Sequence, residues 1–65
     1  GAVRISRNGL LVEIMCAHAC DTYVYDIMGK IVAQAPAATQ HTFVLPMAGC
    51  YIVRAGDMVN KIIVE

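Results

Sequence analysis

The chain has 65 residues with five basic and five acidic side chains, so its formal net charge is zero. Because nucleic-acid binding depends on an excess of Lys and Arg, this balance leaves no electrostatic basis for it. Hydrophobic residues make up 58% of the chain, which excludes a disordered polypeptide. The length allows one domain, residues 1–65. Because a domain this small buries only about 60% of its unfolded surface, we expect it to be one module of a longer protein.

One stretch superficially resembles a membrane span. No Asp, Glu, Lys or Arg occurs between Lys30 and Arg54. A spanning helix needs roughly 20 mostly apolar residues, whereas this stretch is interrupted by Gln, Thr, His, Gly and two prolines. We therefore expect no transmembrane segment.

The first half of the chain alternates between apolar runs and turn residues. "AVRIS" is the first predicted strand, and Asn8-Gly9 is a strong signal for a two-residue hairpin turn. "LLVEIMC" follows as the second strand, "AHACD" as a connection, and "TYVYDI" as the third strand. In the second strand Glu13 is expected to face water, and the residues on the opposite face are Leu10, Val12, Ile14 and Cys16.

The second half continues the same pattern. After the turn "MGK" we predict a strand at "KIVAQ", a loop at "APAATQ" and a strand at "HTFVL". "CYIVRA" and "MVNKIIVE" are the last two strands, separated by a turn at Gly56-Asp57. The predicted core residues are Val12, Ile14, Val24, Phe43, Leu45, Tyr51, Val53, Ile62 and Val64.

These elements predict an all-β fold. Apolar residues do not recur at helical spacing over a long enough stretch, and Pro36 interrupts the one helix-tolerant region. Seven short strands in a single flat sheet would expose one apolar face. We therefore predict an antiparallel sandwich of about seven short strands.

The segment "YDIMGKIVAQ", residues 25–34, has two interpretations. A phosphate-binding loop requires several glycines and a following helix, but this segment has one glycine and continues into a strand-like run. The favoured interpretation is a β-turn in which the Asp26 side chain accepts hydrogen bonds from nearby backbone and Gly29 has a positive φ.

The segment "CAHAC" carries the most reactive side chains. Cys16, His18 and Cys20, together with His41 and Cys50, could supply zinc ligands, although the C-x-H-x-C spacing is unusual for zinc. A turn at residues 17–19 would instead bring Cys16 and Cys20 together for a disulfide. The favoured alternative is unpaired cysteines beside an exposed histidine. We predict no metal and no cofactor.

Catalysis has little support in the sequence. A cysteine nucleophile paired with His41 lacks a third group to orient it, and the acidic residues fall in turns, on an exposed strand face or at the terminus. We predict no catalytic residue. Tyr23 and Tyr25 flank Val24 and are either ordinary strand aromatics or a surface for a sugar or another partner.

Three motifs in order resemble a known family. "VYDIMGKIV", then "FVLPMAGCYIVRAG", then "KIIVE" is similar to the C-terminal sorting domains of proteins exported by the type IX secretion system of Bacteroidota. The resemblance covers about residues 9–65. The matching positions are Tyr25, Asp26, Gly29, Lys30, Gly49, Tyr51, Val53, Lys61, Ile62, Ile63 and Val64.

The resemblance implies an immunoglobulin-like sandwich that acts as a secretion signal. Its partner would be the outer-membrane export machinery, which delivers an attached protein to the cell surface, where a sortase-like peptidase usually removes the sorting domain. The chain would then be the C-terminal module of a secreted or surface protein. It departs from the family at its start, "GAVRISRNG", where a Pro-Asn-Pro-like segment is usual. A related C-terminal module, or a structural or adhesive stalk module, is the alternative.

Overall fold

The computed structural model describes residues 3–65, which form five antiparallel β-strands and no helix. The strands are β1 (Val3–Asn8), β2 (Leu11–Tyr25), β3 (Ile31–Val44), β4 (Gly49–Ala55) and β5 (Met58–Val64). The all-β prediction is confirmed, although the first predicted strand began at Ala2, which lies outside the described residues. Within residues 3–65, no helix is long and apolar enough to cross a membrane.

The strand count differs from the predicted seven because two predicted connections are part of strands. "AHACD" lies within β2, which has 15 residues, and "APAATQ" lies within β3, which has 14. These two strands pair with each other along most of their length. Pro36 and the alanines around it have weak strand propensity, but β3 is an edge strand, where a missing N–H is tolerated.

All five strands belong to one hydrogen-bonded sheet in the order β1-β2-β4-β5, with β3 on the other edge of β2. The first part of β2 pairs with β1, and its last four residues, Thr22–Tyr25, pair with β4 on the same side. Two of the three register shifts in the β2–β3 ladder lie between these two parts of β2, and the third lies at Val24/Tyr25. Because bulges increase the local bend and twist, the sheet curls around its apolar face.

The curled face encloses the core. Alternate residues of β2, β4 and β5 point into it, Leu45 enters it just after β3, and Val3 and Ile5 of β1 pack against it. The buried apolar residues are Val12, Ile14, Val24, Leu45, Tyr51, Val53, Ala55, Ile62 and Val64. Eight of these nine were predicted. Phe43, the ninth predicted residue, is only half-buried and packs against the core from β3. Burial of each large side chain stabilises the fold by roughly 1.5–3 kcal/mol.

The tight turns follow their sequence signals, with one shift. The first hairpin turns at Gly9-Leu10 rather than at Asn8-Gly9, because Asn8 pairs with Leu11 and Gly9 has the positive φ, 62°. A type II′ turn requires glycine only at its first central position, so this placement leaves Asn8 in the strand. Leu10 consequently lies in the turn, not on the buried face of β2. The predicted turn at Gly56-Asp57 is confirmed between Ala55 and Met58.

Candidate functional site

One end of the molecule is formed by the connection between β2 and β3 and the connection between β3 and β4. In the first, the Asp26 carboxylate accepts hydrogen bonds from the backbone N–H groups of Met28, at 2.9 Å, and Lys30, at 3.0 Å. The N–H of Gly29 also donates to the carbonyl of Asp26, and the φ of Gly29 is 84°. The predicted β-turn with its Asp26 acceptor is therefore confirmed.

The second connection is held by Tyr51. This side chain is buried at the start of β4, and its hydroxyl donates a hydrogen bond of 2.6 Å to the carbonyl of Met47. The hydrogen bond fixes the residues that follow Pro46 against the core. Tyr51 therefore serves both the core and the position of an exposed connection.

Together the two connections present a small apolar surface, which we call the tip patch and define as the side chains of Ile27, Met28 and Met47. Their exposed fractions are 75%, 86% and 66%. Beside the patch lies an open groove of about 320 Å³, whose other lining residues include Ala48 and Cys50. Turn positions usually carry polar residues, so three large apolar side chains here are unusual. That departure from turn chemistry is visible in the sequence, but our sequence analysis missed it.

The residues of the resemblance fall into two groups in the structure. Most of them build the fold: Asp26, Gly29 and Gly49 lie at the two tip connections, and the buried positions are Tyr51, Val53, Ile62 and Val64. Tyr25 is half-buried on the outer face. The side chains of Lys30, Lys61 and Ile63 are exposed and therefore accessible to a partner.

Only three of the five side chains considered as zinc ligands lie together in the structure. Cys16, Cys20 and His41 come together, with their potential ligand atoms within 4.8 Å of one another. His18 is exposed on the strand between the two cysteines and Cys50 lines the tip groove, so neither belongs to this group. The three cysteines carry no disulfide in the structure.

Two features define the chemistry of this cluster. His41 is buried, and its Nε2 lies 2.9 Å from the carbonyl oxygen of Cys20 and 3.1 Å from that of Ala38. Since carbonyls only accept hydrogen bonds, Nε2 carries a proton and is not available as a metal ligand. Burial, followed by the adjacent Cys20 thiol, raises the pKa of Cys16 from 9.0 to about 11, so the Cys16 thiol stays protonated at neutral pH.

The outer face of the sheet carries an aromatic cluster. The rings of Tyr23 and Tyr25 are stacked with centroids 6.3 Å apart, and the Arg54 guanidinium lies 4.8 Å above the Tyr23 ring. A shallow depression beside Tyr23 is also lined by Asp21 and Gln34. Polar side chains around an aromatic ring are suited to hydroxyl-rich ligands.

Compared with models of known protein families, with curated proteins and with solved structures, the chain shows no match.

Proposed function

We propose that the chain is a non-catalytic C-terminal sorting module that directs an attached protein across the outer membrane to the cell surface. Its partner is the outer-membrane export machinery of a type IX system, and its route passes through the periplasm. In this proposal the curled sheet is a reduced version of the immunoglobulin-like sandwich, with the bend in β2 and β3 separating its two layers. No catalytic residue or cofactor is assigned.

The tip patch is the observation that carries the proposal. Exposed apolar side chains grouped on one small surface are typical of protein interaction sites. The connections that display Ile27, Met28 and Met47 are built by Asp26 and Tyr51, two positions of the sorting-domain resemblance. The resemblance and the exposed apolar surface thus meet at the same end of the molecule.

The composition of the patch also suits recognition by a protein. Methionine side chains are flexible and polarisable, so they adapt to an apolar pocket on a partner. The exposed Lys30 lies on the same connection, two residues after Met28, and supplies a positive charge close to the patch in the sequence. Interfaces commonly combine an apolar centre with a polar rim.

The last strand, β5, is a second element that a partner could engage. It pairs only with β4, so its outer edge presents backbone groups, and Lys61 and Ile63 are exposed on it. Edge strands bind extended partners by adding a strand, but a lysine on an edge also prevents unwanted pairing. We therefore place the recognition surface at the tip patch and treat β5 as an edge kept soluble by Lys61.

The test is delivery of a reporter. Residues 2–65 are fused behind a periplasmic reporter protein in a bacterium that has the type IX machinery, and reporter at the surface is measured by protease accessibility on intact cells. The tip variant carries Ile27→Ser and Met28→Ser. The matched control is Val59→Ser, which removes an apolar side chain that is 62% exposed in β5. Substitution is preferred to deletion of residues 58–65, since deletion would remove Ile62 and Val64 from the core.

We expect the wild-type domain and the Val59→Ser control to reach the surface, and the tip variant to remain in the periplasm. Circular dichroism of the purified domains establishes that all three are folded. Periplasmic retention of the folded wild-type fusion would refute the sorting function. Surface delivery of the tip variant at the wild-type level would show that the tip patch is not the recognition surface.

The aromatic cluster of Tyr23, Tyr25 and Arg54 favours a second candidate function, an adhesive module of a surface protein. Tyr23 and Tyr25 are half-buried on the outer face, so their rings are partly open to a sugar ring, and the polar groups beside Tyr23 can bind its hydroxyls. Binding of the purified domain to a glycan array, lost in Tyr23→Ala and kept in the tip variant, would support this candidate. Absence of binding by the wild-type domain would exclude it for the glycans on the array.

A further inference from the structure

The irregular part of β2 brings two cysteines together that a regular strand would hold far apart. In the β2–β3 ladder Met15 pairs with Gln40 and Cys20 with Ala38, so five steps along β2 correspond to two along β3. The excess residues form a bulge, and the exposed residues 17–19 lie between the two cysteines. As a result the Sγ atoms of Cys16 and Cys20 are 2.8 Å apart.

This separation is informative because it is shorter than the van der Waals contact of two sulfur atoms. A disulfide bond has a length of about 2.05 Å, so bonding requires the sulfurs to approach by only about 0.8 Å. Two thiolates on one tetrahedral zinc ion would lie roughly 3.7 Å apart, given Zn–S distances of about 2.3 Å. A disulfide would therefore require the two sulfurs to move together, whereas a shared zinc ion would require them to move apart by about 0.9 Å.

The neighbouring histidine also argues against a metal. His41 donates its Nε2 proton to the carbonyls of Cys20 and Ala38, and these hydrogen bonds hold the ring to the backbone of both β2 and β3. With Nε2 engaged, the cluster offers two sulfurs and one remaining nitrogen, whereas structural zinc sites use four protein ligands. His41 instead braces the strand that carries the thiols.

We propose that Cys16 and Cys20 are a modification site at which an intramolecular disulfide closes the bulge of β2. The oxidant is a low-molecular-weight or protein disulfide, for example oxidised glutathione. This site does not depend on the sorting function, and the two proposals fail separately in their tests.

The reaction is thiol–disulfide exchange in two steps. The Cys20 thiolate attacks a sulfur of oxidised glutathione, which forms a mixed disulfide and releases one glutathione thiolate. The Cys16 sulfur then loses its proton and attacks the Cys20 sulfur of the mixed disulfide, which releases the second glutathione. Two protein thiols are oxidised by two electrons, one glutathione disulfide is reduced, and two glutathione thiols are the products.

The site is accessible to such a reagent. Both cysteines are half-buried and pack against the core, and an open groove beside them is lined by residues 16–20 together with Val3, Gly56 and Met58. The oxidant can approach along this groove without the sheet unfolding. Because the enclosed loop is short, the entropic stabilisation is modest, and we expect the disulfide to raise the Tm by roughly 5–15 °C.

The experiment counts free thiols in each region of the chain. The purified protein is reduced, equilibrated with oxidised glutathione, alkylated under denaturing conditions and digested with trypsin. Cleavage after Arg7, Lys30 and Arg54 gives one peptide, residues 8–30, with both Cys16 and Cys20, and another, residues 31–54, with Cys50. We expect the first peptide to be 2 Da lighter than its reduced form and free of alkyl groups, with Cys50 unaffected by the internal bond.

Single variants and a metal measurement complete the test. Cys50→Ser is expected to retain the 2 Da loss and the Tm increase, whereas Cys16→Ser and Cys20→Ser are expected to lose both. If those two variants fail to fold, the Cys50→Ser protein alone decides the question through its thiol count. Full alkylation of residues 8–30, glutathione adducts without an internal bond, or stoichiometric zinc retained on the reduced protein after dialysis would each overturn the proposal.

Discussion

Replacement of Tyr51 by phenylalanine separates the two roles of this residue. The ring of Tyr51 fills the core, while its hydroxyl donates to the Met47 carbonyl at 2.6 Å and holds the connection that carries part of the tip patch. Tyr51→Phe keeps the ring and removes only the hydrogen bond. The substitution therefore tests whether the position of the tip patch matters, with little effect on the core.

The expected magnitude follows from the environment of the acceptor. A net hydrogen bond contributes about 0.5–1.5 kcal/mol, and loss of a partner costs most when the remaining group is shielded from water. The acceptor belongs to Met47, a residue that is 66% exposed in a connection, so we expect water to compensate part of the loss and the free energy of unfolding to fall by about 0.5–1 kcal/mol. For a domain of this size that corresponds to a decrease in Tm of roughly 2–8 °C.

Three measurements check this expectation. Thermal melts followed by circular dichroism give the Tm, amide hydrogen exchange reports the opening of residues 47–49, and the reporter fusion gives surface delivery. We expect faster exchange in that segment and reduced delivery. The matched control is Tyr23→Phe, which alters a tyrosine on the outer face of the sheet.

The reasoning is refuted if Tyr51→Phe leaves the Tm and the amide exchange of residues 47–49 unchanged. A lower Tm combined with full surface delivery would refute the link between the connection and recognition, although the hydrogen bond would be established.

Two further predictions follow from the turn and the thiol pair. Gly56→Ala should destabilise the fold more than Gly9→Ala. The two glycines have almost the same φ, 59° and 62°, but a Cβ at Gly56 would lie 3.3 Å from the Cβ of Cys20, whereas a Cβ at Gly9 would meet no atom within 4 Å. We expect the backbone strain to cost about 1 kcal/mol or more in both variants and the contact with Cys20 to cost roughly 1 kcal/mol more in Gly56→Ala; equal urea midpoints would contradict this. The reduced protein should lose stability as the pH rises from about 9 to 11. The pKa of Cys16 is raised from 9.0 to about 11 in the folded state, so the unfolded chain loses the thiol proton at a lower pH than the folded chain does. In urea titrations Cys16→Ser should remove this part of the pH dependence, and Cys50→Ser should keep it.

The sequence by itself determined the strand faces and most of the turns. Strict alternation placed Val12, Ile14 and Val24 on the buried side, and Gly29 predicted a positive φ that the structure confirms. These features are local, since side chains alternate across a strand and tight turns need particular residues at particular positions. Eight of the nine buried apolar residues could be predicted for this reason.

The tertiary structure decided which segments pair and which reactive groups meet. "AHACD" and "APAATQ" have the residue composition of connections. They are strand in the structure because β2 and β3 pair with each other over most of their length, and this pairing cannot be read from the composition of either segment. The same bulged pairing brings the sulfurs of Cys16 and Cys20 to 2.8 Å and places His41, which is 21 residues from Cys20, against its carbonyl. Contacts between residues distant in the chain depend on strand register, and register is fixed only when the whole sheet buries its apolar face.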